Sequence, residues 1–158
     1  MGINNKMVMN MLRISNFKGF RGDHSMDTAK VHLVTGGNGS GKTTLLEAIG
    51  LLSAAAHGDL GDDAITRRGV RFSSPAASKA RDHEPVYLAW EDGGCTYAVD
   101  LDGDRTWGYV CETVESDQVA LELQREGTPQ DGLAAIHAAK MPQEEPAAKL
   151  IHSLGTYT

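Results

Sequence analysis

The chain is poor in cysteine and in aromatic residues, has no surplus of positive charge and contains no long apolar run. Each shortage closes off a class of protein. Cys95 and Cys111 are the only cysteines in 158 residues, and without close metal-ligand spacing they read as reduced, half-buried thiols, not as a disulfide framework. The six histidines are scattered, with no H-x-x-x-H pair and no C-x-x-C partner, so zinc has no support. No apolar stretch approaches the ~20 residues that span a bilayer, and the N-terminus lacks a secretory h-region. A soluble, cytoplasmic protein without a membrane partner is therefore expected. A net charge of −6 argues against coating nucleic acid by bulk charge. The length suits one domain with a sizeable core.

Against these absences stands one complete motif. Gly36-Gly37-Asn38-Gly39-Ser40-Gly41-Lys42-Thr43 fits the phosphate-loop pattern G-x-x-x-x-G-K-[ST]. Glycines let successive N–H groups turn inward on the β-phosphate, and the loop feeds the positive end of a helix dipole. In such a loop Lys42 reaches the β- and γ-phosphates and the Thr43 hydroxyl ligates Mg²⁺. A nucleoside triphosphate is the ligand implied. Val31-His32-Leu33-Val34-Thr35 before the loop predicts a buried parallel strand. After it, Leu45, Ala48, Ile49, Leu52 and Ala56 trace one face of an amphipathic helix that stops at His57-Gly58. Gly50 inside that helix counts against it by about 1 kcal/mol relative to alanine.

The rest of the chain divides by composition. Residues 1–10 read as a polar extension, and 11–158 as the ATP-binding lobe. Leu12-Arg13-Ile14-Ser15-Asn16 alternates as a first strand, ended by the turn Lys18-Gly19-Phe20-Arg21-Gly22. From 58 to 84 periodicity fades, and a long mobile insertion is expected. Arg67, Arg68, Arg71, Lys79 and Arg81 fall there, either offset by Asp62, Asp63, Asp82 and Glu84 or forming a nucleic-acid or partner contact. Runs at 86–90, 95–101, 107–114 and 119–124, separated by Asp/Gly turns, predict an antiparallel meander. Short helices are expected at 131–140 and 145–154. The fold class is α/β: a phosphate-loop lobe with an antiparallel meander.

The segments Leu12-Arg13-Ile14-Ser15-Asn16-Phe17-Lys18-Gly19-Phe20-Arg21 and Gly37 to Ile49 together resemble the opening of RecF-type ATPases, the ABC-class relatives of structural-maintenance-of-chromosomes proteins that include AAA-labelled ATPases of DNA repair and phage defence. The meander, with Val110 to Val114 and Leu121 to Gly127, resembles the antiparallel lobe of that group. The resemblance implies an ABC-ATPase-like N-terminal lobe that binds ATP and Mg²⁺. Asn38 would sit near the γ-phosphate, Thr44 near the α-phosphate, and Lys18 or Arg21 near the base or phosphates. It further implies DNA as a partner and a homodimer or partner subunit completing the site. ABC transporter ATPases share the glycine loop, but Leu45-Leu46-Glu47-Ala48-Ile49 and Asn16-Phe17-Lys18-Gly19-Phe20 resemble the DNA-maintenance branch more.

Two elements that the resemblance calls for are not found. Apolar runs ending in a carboxylate occur only at Val86 to Asp92 and Tyr97 to Asp100, where turn geometry explains the aspartates. No Ser-Gly-Gly signature follows. The family would continue past Leu154-Gly155-Thr156-Tyr157-Thr158, so an N-terminal lobe of a larger ATPase, or a truncated product, is expected. Whether the chain is itself an enzyme stays open. The alternatives are a nucleotide-dependent interaction module that binds ATP without turnover and, ranked lower, a transporter fragment or a small phosphate-loop kinase.

Overall fold

Apolar–polar alternation carries the first strand, β1 (Asn10–Phe17), through a sheet one strand in from its edge, and a tight turn at Lys18-Gly19 sends the chain straight back as β2 (Phe20–Thr28). The computed structural model describes residues 10–28, 32–71 and 74–157. The expected extension therefore lies almost wholly outside the described residues. After the glycine loop comes α1 (Lys42–His57), then α2 (Asp62–Arg67) and α3 (Pro75–Ser78). The meander follows as β3 (Val86–Asp92), β4 (Cys95–Asp102), β5 (Gly108–Glu115) and β6 (Ala120–Gln124). Two helices, α4 (Ala134–Ala138) and α5 (Pro146–Gly155), complete the described fold.

All strands pair antiparallel in the order β2-β1-β3-β4-β5-β6. Period-two alternation puts Leu12, Ile14, Leu88, Tyr97, Val99 and Val114 on one face, all buried. Against it lie the small and branched residues of α1 and α5, including Leu51, Leu52, Leu150 and Ile151, in one continuous core. The Tyr109 hydroxyl donates to Ala55 O at 2.9 Å and ties the sheet to α1. α1 ends at Gly58, where φ is 90° and the N–H closes on Ala54 and Ala55 carbonyls.

Several expectations need correction. The buried strand expected over 31–35 is not formed where the residues are described: 32–37 is outside any strand, and Leu33 is 89% exposed. A parallel strand needs a parallel partner and helices over both faces, and the described sheet offers it no parallel partner. The mixed α/β class stands, but the sheet is wholly antiparallel and the strand of the strand–loop–helix unit is missing from it. The turn after β1 does not simply end a strand; it opens a hairpin. The segment 58–84, read as aperiodic, contains α2 and α3 and buries Leu60, Ile65 and Val70.

α4 begins at Ala134 and not at 131, and the N–H groups at its start, which no helical carbonyl can satisfy, are taken up by Glu112. Buried Glu112 accepts from Leu133 N at 2.7 Å, Ala134 N at 3.2 Å and the Tyr97 hydroxyl at 3.2 Å, with Arg125 at 3.6 Å. Burial pushes this carboxyl up from its ordinary range, and these donors oppose the shift.

Candidate functional site

The glycine loop is where backbone chemistry, not side-chain packing, sets the shape. Gly39 and Gly41 adopt φ of 81° and 90°, in the left-handed region that glycine enters without steric cost. Gly41 caps α1 without a side-chain hydrogen bond, and among the described residues no side-chain cap covers the N–H groups of the first helical turn. Gly36 and Ser40 close the loop: a Cβ on Gly36 would lie 2.6 Å from Ser40 Oγ. The Lys42 ammonium folds back over the loop, donating to Gly36 O at 2.5 Å and Gly37 O at 2.7 Å, with Ser40 Oγ at 3.4 Å. Residues 36–40 and Thr43 are exposed, while Thr44 is half-buried.

This arrangement fits a phosphate group. Uncapped N–H donors, a helix of 16 residues behind them and one mobile-stemmed cation converge on an exposed loop. Among the described residues Lys42 donates to neutral loop groups, two carbonyls and the Ser40 hydroxyl, so moving its ammonium onto a phosphate exchanges neutral acceptors for a charged one. Thr43 presents a single hydroxyl at the helix start. A magnesium ion held there would take its remaining ligands from phosphate oxygens and water.

Lys18 and Arg21, assigned to the nucleotide by resemblance, part company. Arg21 stays exposed on β2. Lys18 crosses to α1, where its ammonium donates to Glu47 Oε2 at 2.8 Å. Glu47 is fully buried, and its other oxygen accepts from Arg71 N at 3.2 Å and Arg71 Nε at 3.0 Å. Burial raises this carboxyl, but the bonds from Lys18 and Arg71 outweigh it and hold it below the ordinary range. Sequence reasoning missed the pairing. A lone glutamate among Leu45, Leu46, Ala48 and Ile49 was the available signal, since a buried carboxylate must find cations.

The three residues Asn16, Phe17 and Lys18 each have a distinct task. Asn16, buried with φ 59°, donates to Arg81 O and Glu84 O at 3.0 and 2.6 Å and accepts from Arg81 N at 2.6 Å, fastening 81–84 to the end of β1. Phe17 is fully buried with Trp107, their ring centroids 6.2 Å apart. Lys18 serves Glu47.

The cations of 58–84 are largely committed. Arg68 donates to Ser53 Oγ, Ala64 O and Gly155 O, each at 3.0 Å, and so joins α1, α2 and the C-terminal end of α5. Lys79 pairs with Asp102 at 2.7 Å and Arg81 with Glu84 at 3.0 Å. Only the last of these uses an acidic partner expected from the sequence. The carboxylates weighed as water-activating groups sit in the antiparallel sheet: Asp92 begins the β3–β4 turn, and Asp100 lies half-buried on the face opposite Val99. Among the described residues no cluster of three or more His, Cys, Asp or Glu side chains could hold a metal. Two concave regions lie elsewhere, one of about 650 Å³ between the end of α1, α4 and α5, and one of about 390 Å³ beside Arg13, Asp23 and Tyr87; neither includes a loop residue.

A family model described as an AAA domain matches residues 11–123. The chain belongs to the AAA-domain family. The matched region runs from β1 to β6 and contains the glycine loop, so the chain carries an AAA-type, phosphate-loop ATPase-like domain. No curated protein matches the chain. No helix among the described residues of this AAA domain is long and apolar enough to cross a membrane.

Proposed function

We propose that this AAA domain binds ATP with Mg²⁺ through Gly36 to Thr44 and forms part of a RecF-like ATPase acting in DNA maintenance or phage defence. The observation that carries the reading is the uncapped start of α1, where left-handed glycines and the Lys42 ammonium share one exposed loop. Lys42 neutralises the β- and γ-phosphates, Thr43 contributes a metal ligand, and Asn38 and Thr44 flank the γ- and α-phosphates. The RecF-like branch is supported by Asn16-Phe17-Lys18, whose side chains each hold a different part of the fold.

Hydrolysis needs a water-activating carboxylate from another segment or protomer. Leu33, Val34 and Leu46, exposed by 89%, 44% and 55%, give such a partner apolar surface to cover. In 58–84, Lys79 and Arg81 are already paired with Asp102 and Glu84, so a DNA contact there would compete with those pairs. The chain alone therefore binds nucleotide with negligible turnover, which is also what an interaction module would do.

Titration of labelled ATP with and without Mg²⁺, on wild type and Lys42→Ala, tests the reading. Loss of a charge-assisted phosphate contact weakens binding by roughly ten- to a hundredfold. Unchanged affinity in Lys42→Ala would remove the ligand assignment. Steady-state phosphate release that vanishes in Lys42→Ala would refute the claim of negligible turnover.

A further inference from the structure

Glu47 lies five residues past Lys42 on α1, about 7.5 Å along the axis at 1.5 Å per residue. Side chains on a helix lean toward its N-terminus, so this carboxylate covers the turn that carries Thr43 and Thr44. It gathers two cations from two different elements, Lys18 from the β1–β2 turn and Arg71 from the segment after α2. One carboxylate with two cations leaves a net charge of +1 beside the start of α1.

The placement of Arg71 is built into the packing. Gly50 has no side chain, and Arg68 O and a Val70 methyl approach so closely that a Cβ there would meet them at 2.4 and 3.0 Å. Val70 is buried, and Arg68 is bonded to both α1 and α5. The chain at 68–70 is thus laid along α1, and Arg71 emerges one turn nearer the glycine loop. Its Nε is spent on Glu47, yet its side chain is 71% exposed, so the outer edge of the guanidinium faces solvent. A cation held at its inner edge and open at its outer edge is arranged to receive an anion.

We propose that Glu47 is a positioning residue that fixes Lys18 and Arg71 on the first turns of α1, and that Arg71 contacts the phosphates of the bound nucleoside triphosphate. The inference rests on the reading of Gly36 to Thr44 as the nucleotide site, and it adds a residue outside every motif in the chain.

Binding of labelled ATP to the full chain with Mg²⁺, measured over a range of salt concentrations, decides it. Arg71→Ala should weaken ATP binding roughly tenfold or more and lower the salt dependence of the affinity, and because it also takes one cation from buried Glu47, affinities are compared at a temperature where circular dichroism shows both proteins folded. Arg71→Lys should recover part of the affinity by keeping the charge. Glu47→Gln should weaken binding in the same direction; if it unfolds the protein, the two Arg71 variants decide alone. Wild-type affinity and salt dependence in Arg71→Ala, while Lys42→Ala weakens binding, would overturn the proposal and leave the nucleotide site standing. Absence of Lys42-dependent binding in wild type would overturn both.

Discussion

Replacing Gly50 by alanine sets two effects of opposite sign against each other at one position. In a helix interior alanine is favoured over glycine by about 1 kcal/mol, so helix propensity alone makes Gly50→Ala stabilising. The tertiary structure reverses the sign. A Cβ at this position would lie 2.4 Å from Arg68 O, a backbone atom, and 3.0 Å from a Val70 methyl. The carbonyl cannot rotate aside, because the N–H groups of Arg68 and Val70 both donate to Ile65 O at 3.2 Å. The segment must retreat by roughly 1 Å to reach ordinary contact. Overpacking of this kind costs about 1–3 kcal/mol. Net of the helix gain, Gly50→Ala should destabilise by up to about 2 kcal/mol, lowering Tm by up to roughly 8 °C in a chain of this size. Thermal unfolding followed by far-UV circular dichroism at fixed pH and salt reads the change. A raised Tm would refute the close approach of 68–70 to α1. The retreat would also draw Arg71 away from Glu47, so the variant should lose part of the acid sensitivity described next.

Glu47, held below the ordinary carboxylate range by Lys18 and Arg71, stabilises the fold above its unfolded pKa of about 4.3, and that contribution is lost as pH falls through its folded value. Wild type should lose stability on acidification below about pH 4.3, and Glu47→Gln should flatten that limb of the urea-unfolding profile; an unaltered slope would count against the pairing. Asn16→Ala removes the side-chain hydrogen bonds to Arg81, Glu84 and Pro85 at a left-handed position and should cost about 2–4 kcal/mol, with amide exchange at Ala80 and Arg81 accelerated first. Equal protection of those amides in the variant would contradict the fastening role. Arg68→Met strips donors from Ser53 and the Gly155 carbonyl and should fray the end of α5, costing about 2–3 kcal/mol, visible as exchange confined to residues 152–156 before global opening.

Local patterns made much of this fold readable. The Asp/Gly turns and period-two runs placed four strands of the meander within a residue or two, because antiparallel hairpins are specified by neighbouring residues. His57-Gly58 marked the end of α1 for the same reason. β2 escaped because its nine residues, Phe20-Arg21-Gly22-Asp23-His24-Ser25-Met26-Asp27-Thr28, are mostly polar and exposed, and what makes them a strand is pairing with β1. The stretch 58–84 looked aperiodic because its buried residues, Leu60, Ile65 and Val70, are spaced by tertiary contacts and not by one helix.

What the sequence determined by itself is the phosphate loop: glycine and lysine at set spacing encode a backbone shape that depends on few distant contacts. What only the tertiary structure decided is the company the loop keeps. Whether Val31 to Thr35 becomes a buried strand depends on neighbours in space, and the pairing of Glu47 with Lys18 and Arg71 joins residues 29 and 24 positions apart. Burial of a single carboxylate made that meeting necessary, and no spacing rule along the chain records it.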